Sequence, residues 1–244
     1  METARSYVDG YVGKKIERLS SEKEEVAKKL ASLGLEHFHN AVEKIVDDQV
    51  TEETKRLEKN QRGLEEHLQK NGINRKLEDT GVFEGSNTDD GMRVVGTHNH
   101  ATEETAIDQR EMEMAVESGD YTRVNHILAH EETHENYPGP DIYQQDPEIL
   151  QKTLIGLYEG WTEDKNRENL GTAVLEAYEK ERALLKETVE RAGNKEHLEK
   201  ALKEKDSFGA RIILLHSLQH TRPDLLGGYD PTFEFMLYKS KKNI

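Results

Sequence analysis

The sequence predicts an α+β protein that is predominantly helical, with a small sheet ahead of a chemically loaded helix. Two observations lead there. Apolar residues recur at three- and four-residue spacing along most of the chain, and one turn-rich stretch interrupts that spacing with short β-branched runs. The 244 residues are 34% hydrophobic and 34% charged, with a mean hydropathy of -0.90. Apolar side chains are therefore scarce, and they gather from about Val94 onward. The Glu-, Lys- and Arg-rich beginning needs helix pairing or a partner to stay folded.

Tyr11 to about Asn71 reads as helix, with Val12, Ile16, Leu19, Val26 and Leu30 on one side and Gly34 and Gly72 as stops. From Arg75 to Asn99 the turn formers Gly81, Gly85, Asn87, Asp89, Asp90 and Gly91 surround two strand candidates, Val82-Phe83 and Met92 to Val95. Helix is expected again from Thr102 to Val116, broken at Ser118-Gly119-Asp120, and from Tyr121 to Asn136, ended by Pro138-Gly139-Pro140. Asp146 with Pro147 reads as the start of the next helix, since a missing N–H costs nothing in the first turn. Further helices are expected from Glu163 to Arg191 and from Lys195 to His220, and the alternation of Thr232 to Tyr238 reads as a strand. A boundary near residue 75 divides an N-terminal helical arm, 1–75, from the remainder, 76–244. Dimerisation through the arm, docking and regulation are all compatible with its composition.

Charge and composition exclude several function classes. At -15, the chain repels a phosphate backbone, and no basic stripe with aromatics is present, so no nucleic acid is expected as a partner. Without cysteine there is no disulfide framework, iron–sulfur cluster or thiolate zinc site. The first residues lack the apolar run of a secretory signal and no stretch reaches membrane-spanning length, so the expected setting is cytoplasmic, with no membrane partner.

The chemistry concentrates in His130-Glu131-Glu132-Thr133-His134. Four residues are little more than one helical turn, so both imidazoles leave one face and can bind one ion, with Glu131 placed to deprotonate a water there. A catalytic zinc needs a third protein ligand and an open position. Glu159 supplies the ligand: Pro-Gly-Pro ends the first helix, and a helix with Leu150, Leu154 and Leu157 on its apolar face returns across it. Gly160 leaves room beside Glu159, and Glu163, one turn on, can accept an imidazole N–H.

His130-Glu131-x-x-His134 followed by Tyr158-Glu159-Gly160-x-Thr162-Glu163 resembles the gluzincin branch of the zincin metallopeptidases. The resemblance implies a zincin-like domain over 76–244, with Zn2+ held by His130, His134 and Glu159, Glu131 as general base, and a peptide or protein as substrate. It also implies a small sheet before the metal helix and a mostly helical part after it. In that family a downstream His or Tyr often stabilises the oxyanion, and His216, His220 and Tyr229 are candidates. The carboxylates of Glu132 and Glu135 beside the motif disfavour acidic peptides. His98 and His100, alternate residues of an extended segment with Asp108 downstream, could also grip an ion.

Two other readings stay open from the residues alone. Glu131-x-x-His134 and Glu36-x-x-His39 are each the ExxH step of a ferritin-like di-iron bundle. An acidic helical interaction module without catalysis is the third.

Overall fold

The computed structural model describes residues 2–33, 36–73, 76–86, 93–99, 102–170 and 178–242, and of 36–40, 42 and 242 the backbone alone. The described residues are mostly helical with a three-stranded sheet, as the sequence predicts. Two compact units form: Met1–Asn99 with Glu104–Leu128, and His100–Glu103 with Ala129–Ile244.

The first unit opens with α1 (Ala4–Ser32), capped by the Thr3 hydroxyl, which accepts from the Ser6 N–H. α2 (Glu36–Lys70) follows, and Gly72 ends the run in a left-handed turn (φ 76°). Gly34, the other expected stop, lies outside the described residues. The sheet joins β1 (Thr80–Phe83), β2 (Gly96–Asn99) and β3 (Glu104–Asp108) in the order β1-β3-β2, with β1 parallel and β2 antiparallel to the central β3. α3 (Gln109–Ser118) then covers the near ends of α1 and α2. Val8, Val12, Leu57 and Leu64 are buried there with Met112 and Val116. Tyr11 donates its hydroxyl to Glu117 at 2.7 Å, and Asn60 its amide to the Val116 carbonyl at 2.8 Å. The helices expected to form an arm over 1–75 thus share a unit with the sheet and α3.

Three element assignments differ from the sequence reading. The second strand is Gly96–Asn99, not Met92 to Val95. Arg93 instead turns its guanidinium to Asp108 at 2.5 Å, and Met92 lies outside the described residues. The helix expected from Thr102 begins only at Gln109, because Thr105, Ala106 and Ile107 form the buried centre of β3, and Asp108, not Thr102, caps the helix through the Arg110 N–H. Thr232 to Tyr238 is helix, not strand, within α9 (Thr232–Lys242). Asp230 starts it by accepting from the backbone and hydroxyl of Thr232. Phe233, Met236 and Leu237 face out while Glu234 and Phe235 pack inward, a helical division of faces that alternation in sequence conceals.

α4 (Thr122–Asn136) begins in the first unit, and its residues from Ala129 belong to the second. α5 runs unbroken from Glu148 to Leu170, so Glu159 and Glu163 share one helix, whereas the sequence suggested a new helix at Glu163. Asp146 does not cap it: its carboxylate takes the Tyr143 N–H and the guanidinium of Arg211. α6 (Glu179–Leu185) passes through a wider turn at 186–190. α7 (Lys195–Lys203) and α8 (Ser207–Thr221) are separate where one helix was expected. Asp206 makes the break, capping α8 through the Gly209 N–H. The core of this unit is Leu150, Leu154, Leu157 and Trp161 of α5 against Leu185, Leu198, Leu202, Leu214, Leu215 and Leu218. Each fully buried leucine contributes about 1.5–3 kcal/mol. That packing fixes the rotation of α5 and so where Glu159 and Glu163 point.

A candidate metal centre

His130 and His134 leave the same face of α4, and Glu159 and Glu163 the same face of α5, each pair four residues apart. The structure brings three donor atoms to one point. His130 Nε2 lies 3.0 Å from His134 Nε2 and 3.1 Å from Glu159 Oε2, and His134 Nε2 lies 3.2 Å from the same oxygen. Ligands about 2.0–2.1 Å from a tetrahedral ion stand about 3.3 Å apart, so the triangle has the edge lengths of one tetrahedral face. These three residues can hold a metal ion, and they form the only such group of three or more found among the described residues.

The second carboxylate orients the site. Glu163, fully buried, meets His130 Nδ1 at 3.3 Å with one oxygen and accepts from Arg167 Nε at 2.6 Å with the other. An Nδ1–H donated to Glu163 leaves the Nε2 lone pair aimed at Glu159 and His134, the tautomer a metal requires.

Burial alone would lower the His130 pKa, but its contacts with Glu159 and Glu163 carry it up to about 9. Burial would raise Glu159, yet the two histidines hold it at about 2. Below about pH 9 a charged His130 ring lies between the carboxylates of Glu159 and Glu163. Glu131, buried beside the pair, is raised by its burial and by Glu159, against the pull of His130 and His134. It has no hydrogen-bond partner among the described residues.

These shifts fix a sign. The His130 contribution is complete below its ordinary 6.5 and is lost as pH climbs through about 9. A raised Glu131 acts the same way, since the fold resists an ionisation that the unfolded chain completes above 4.5. Glu159 contributes above 4.5 and loses that only as pH falls through about 2. The unfolding temperature of the chelator-treated protein is therefore expected to fall between pH 6.5 and 9, which calorimetry across that range measures. A rise would contradict it.

No protein-family model, curated protein or solved structure matches this chain.

Two aromatic rings complete the site. Tyr178 lies flat on His130, with centroids 4.9 Å apart and planes 6° from parallel, and Tyr158 meets His134 edge-on at 5.0 Å. Tyr158 is fixed by its hydroxyl, donated to the Tyr137 carbonyl. Tyr178 has a left-handed backbone (φ 60°) at the entrance to α6, a conformation that costs a non-glycine residue energy. Burial and the neighbouring carboxylates push both phenol pKa values well up, so both stay neutral. A Cβ on Gly160 would stand 2.5 Å from the Glu181 carbonyl oxygen, so glycine beside Glu159 is what lets α6 lie against α5.

The remaining candidates lie in other clusters. His216 contacts Asn194 at 3.2 Å and stacks near His220, whose Nδ1 meets the His216 carbonyl at 2.8 Å. Tyr229 donates its hydroxyl to Glu234. In the first unit, His98 faces Thr105 Oγ1 at 2.9 Å, and Asp108 is occupied by Arg93 and the Arg110 N–H. His100 and the side chains of Glu36 and His39 lie outside the described residues. Sequence reasoning missed Tyr178, because a left-handed tyrosine ahead of a short helix leaves no spacing signal.

Proposed function

We propose that this protein is a zinc-dependent hydrolase, a metallopeptidase of zincin type. The observation that carries the reading is the triangle of two imidazole nitrogens and one carboxylate oxygen, with Glu163 holding the far nitrogen of His130. Two imidazoles and one carboxylate are a donor set of catalytic zinc, which leaves a fourth position open. A small sheet before the metal helix and a helical part after it agree with the resemblance in the sequence. When bound, zinc lowers the pKa of a water toward about 7 and polarises the carbonyl under attack.

The chain's own residues supply the rest. His130, His134 and Glu159 bind the ion. Glu163 sets the tautomer of His130, and Tyr178 and Tyr158 hold the two rings and keep water from their faces. Glu131 accepts a proton from the attacking water and delivers it to the leaving amine; its burial raises its basicity toward what a neutral-pH base needs. The substrate is a peptide or protein. No described helix is long and apolar enough to cross a membrane.

Metal analysis and titration calorimetry test the reading. One zinc per chain is expected, lost from both His130→Ala and Glu159→Ala. Two irons per chain would favour the di-iron bundle, and no metal at micromolar supply the interaction module; either result ends the proposal.

A further inference from the structure

Among the described residues, the far part of the α1–α2 hairpin lacks the cover that its near part has. Val8, Val12, Leu57 and Leu64 are buried beneath α3. Between residues 13 and 56, by contrast, none of the described side chains is buried. Yet α1 keeps a coiled-coil seam across that stretch: Val12, Ile16, Leu19, Lys23, Val26, Leu30 and Leu33 follow one another at alternating four- and three-residue steps. Val26 is 40% exposed, Leu33 63% and, on α2, Ile45 57%. Packing of α1 on α2 leaves these three apolar side chains in water, and a second layer of helices would cover them.

Charge identifies the occupant. Residues 13–33 of α1 carry six Lys or Arg against four Glu, while 43–56 of α2 carry five Asp or Glu against three Lys or Arg. Within one hairpin, Lys23 already meets Asp47 at 2.5 Å and Glu43 at 3.8 Å. A two-fold axis repeats that match between molecules, because an isologous interface needs a surface complementary to itself. A hairpin face about 30 Å long and about 20 Å wide offers roughly 600 Å2 on each copy, the lower edge of what a stable dimer buries.

We infer that the distal hairpin, residues 13–33 of α1 and 43–56 of α2, is the interface at which two copies of this chain associate, α1 of each against α2 of the other in an antiparallel four-helix arrangement. The inference stands apart from the metal site. Sedimentation equilibrium of the whole protein is expected to show a dimer at micromolar concentration. Val26→Glu with Ile45→Glu changes exposed positions, so helicity should hold while dimerisation weakens at least about tenfold. Charge reversal gives a second route. Lys28→Glu with Lys29→Glu makes both arms acidic, and Asp48→Lys with Glu52→Lys makes both basic. Each double variant should self-associate less, and mixing the two should restore a dimer. A parent that stays monomeric, or a dimer indifferent to every one of these changes, overturns the inference.

Discussion

Glu131→Gln is expected to bind one zinc per chain as the parent does and to hydrolyse an unstructured protein substrate about 10²–10⁴-fold more slowly. The two halves of this result have separate origins. Zinc is retained because Glu131 is not among the three donors, which are His130 Nε2, His134 Nε2 and Glu159 Oε2, and because Gln keeps the shape of Glu. Turnover falls because an amide cannot take a proton from water. The loss should appear in kcat with KM little changed, since the carboxylate acts on the proton being transferred and not on the resting substrate. Quantifying peptide release alongside metal content separates the two. A variant that loses its zinc would make Glu131 a ligand, and one that loses less than tenfold in kcat would leave it without a chemical role.

The meeting of His130, His134 and Glu159 was legible in the sequence because helical spacing is local. His130 and His134 share a face for the same reason that Glu159 and Glu163 do, and Leu150, Leu154 and Leu157 announce which side of α5 turns inward. Long-range features were less visible. β3 reads as helix because Thr105, Ala106 and Ile107 sit among acidic residues with helical preference, and only pairing to β1 and β2 on both sides selects the strand. α9 reads as strand because Thr232 to Tyr238 alternates, yet in its unit it packs on α8, and all described strands lie in the other unit. Tyr178 on His130 and Gly160 against Glu181 are contacts between helices, which no spacing rule reaches.

Arg211 is the strongest case of such hidden structure, and its removal should be the most destabilising single change in the second unit. Its guanidinium is fully buried and makes five hydrogen bonds: Nη1 and Nη2 to Asp146 at 2.7 and 2.9 Å, Nε and Nη2 to Glu234 at 2.9 and 3.0 Å, and Nη1 to the Asp141 carbonyl at 3.1 Å. Five N–H groups meet five acceptors, so no donor is left over. The rings of Tyr143 and Tyr229 flank the group at 4.4 and 5.6 Å. This one side chain of α8 thereby ties α9 and the loop before α5 to the core on which α5 rests. Arg211→Met removes the cation and leaves Asp146 and Glu234 facing each other out of water, a loss expected at about 3–5 kcal/mol. That is a large fraction of the about 5–15 kcal/mol that holds a domain together. Arg211→Lys should recover less than half, because three donors on one nitrogen cannot span two carboxylates bidentately. Neutralising both acids in the Met background, with Asp146→Asn and Glu234→Gln, should recover more than lysine does, since the cost lies in uncompensated charge and not in the missing bonds alone. Urea unfolding of the four proteins orders them. A Met variant within 1 kcal/mol of the parent, or a neutralised variant less stable than the Met variant, would show that the cluster is not what secures α9.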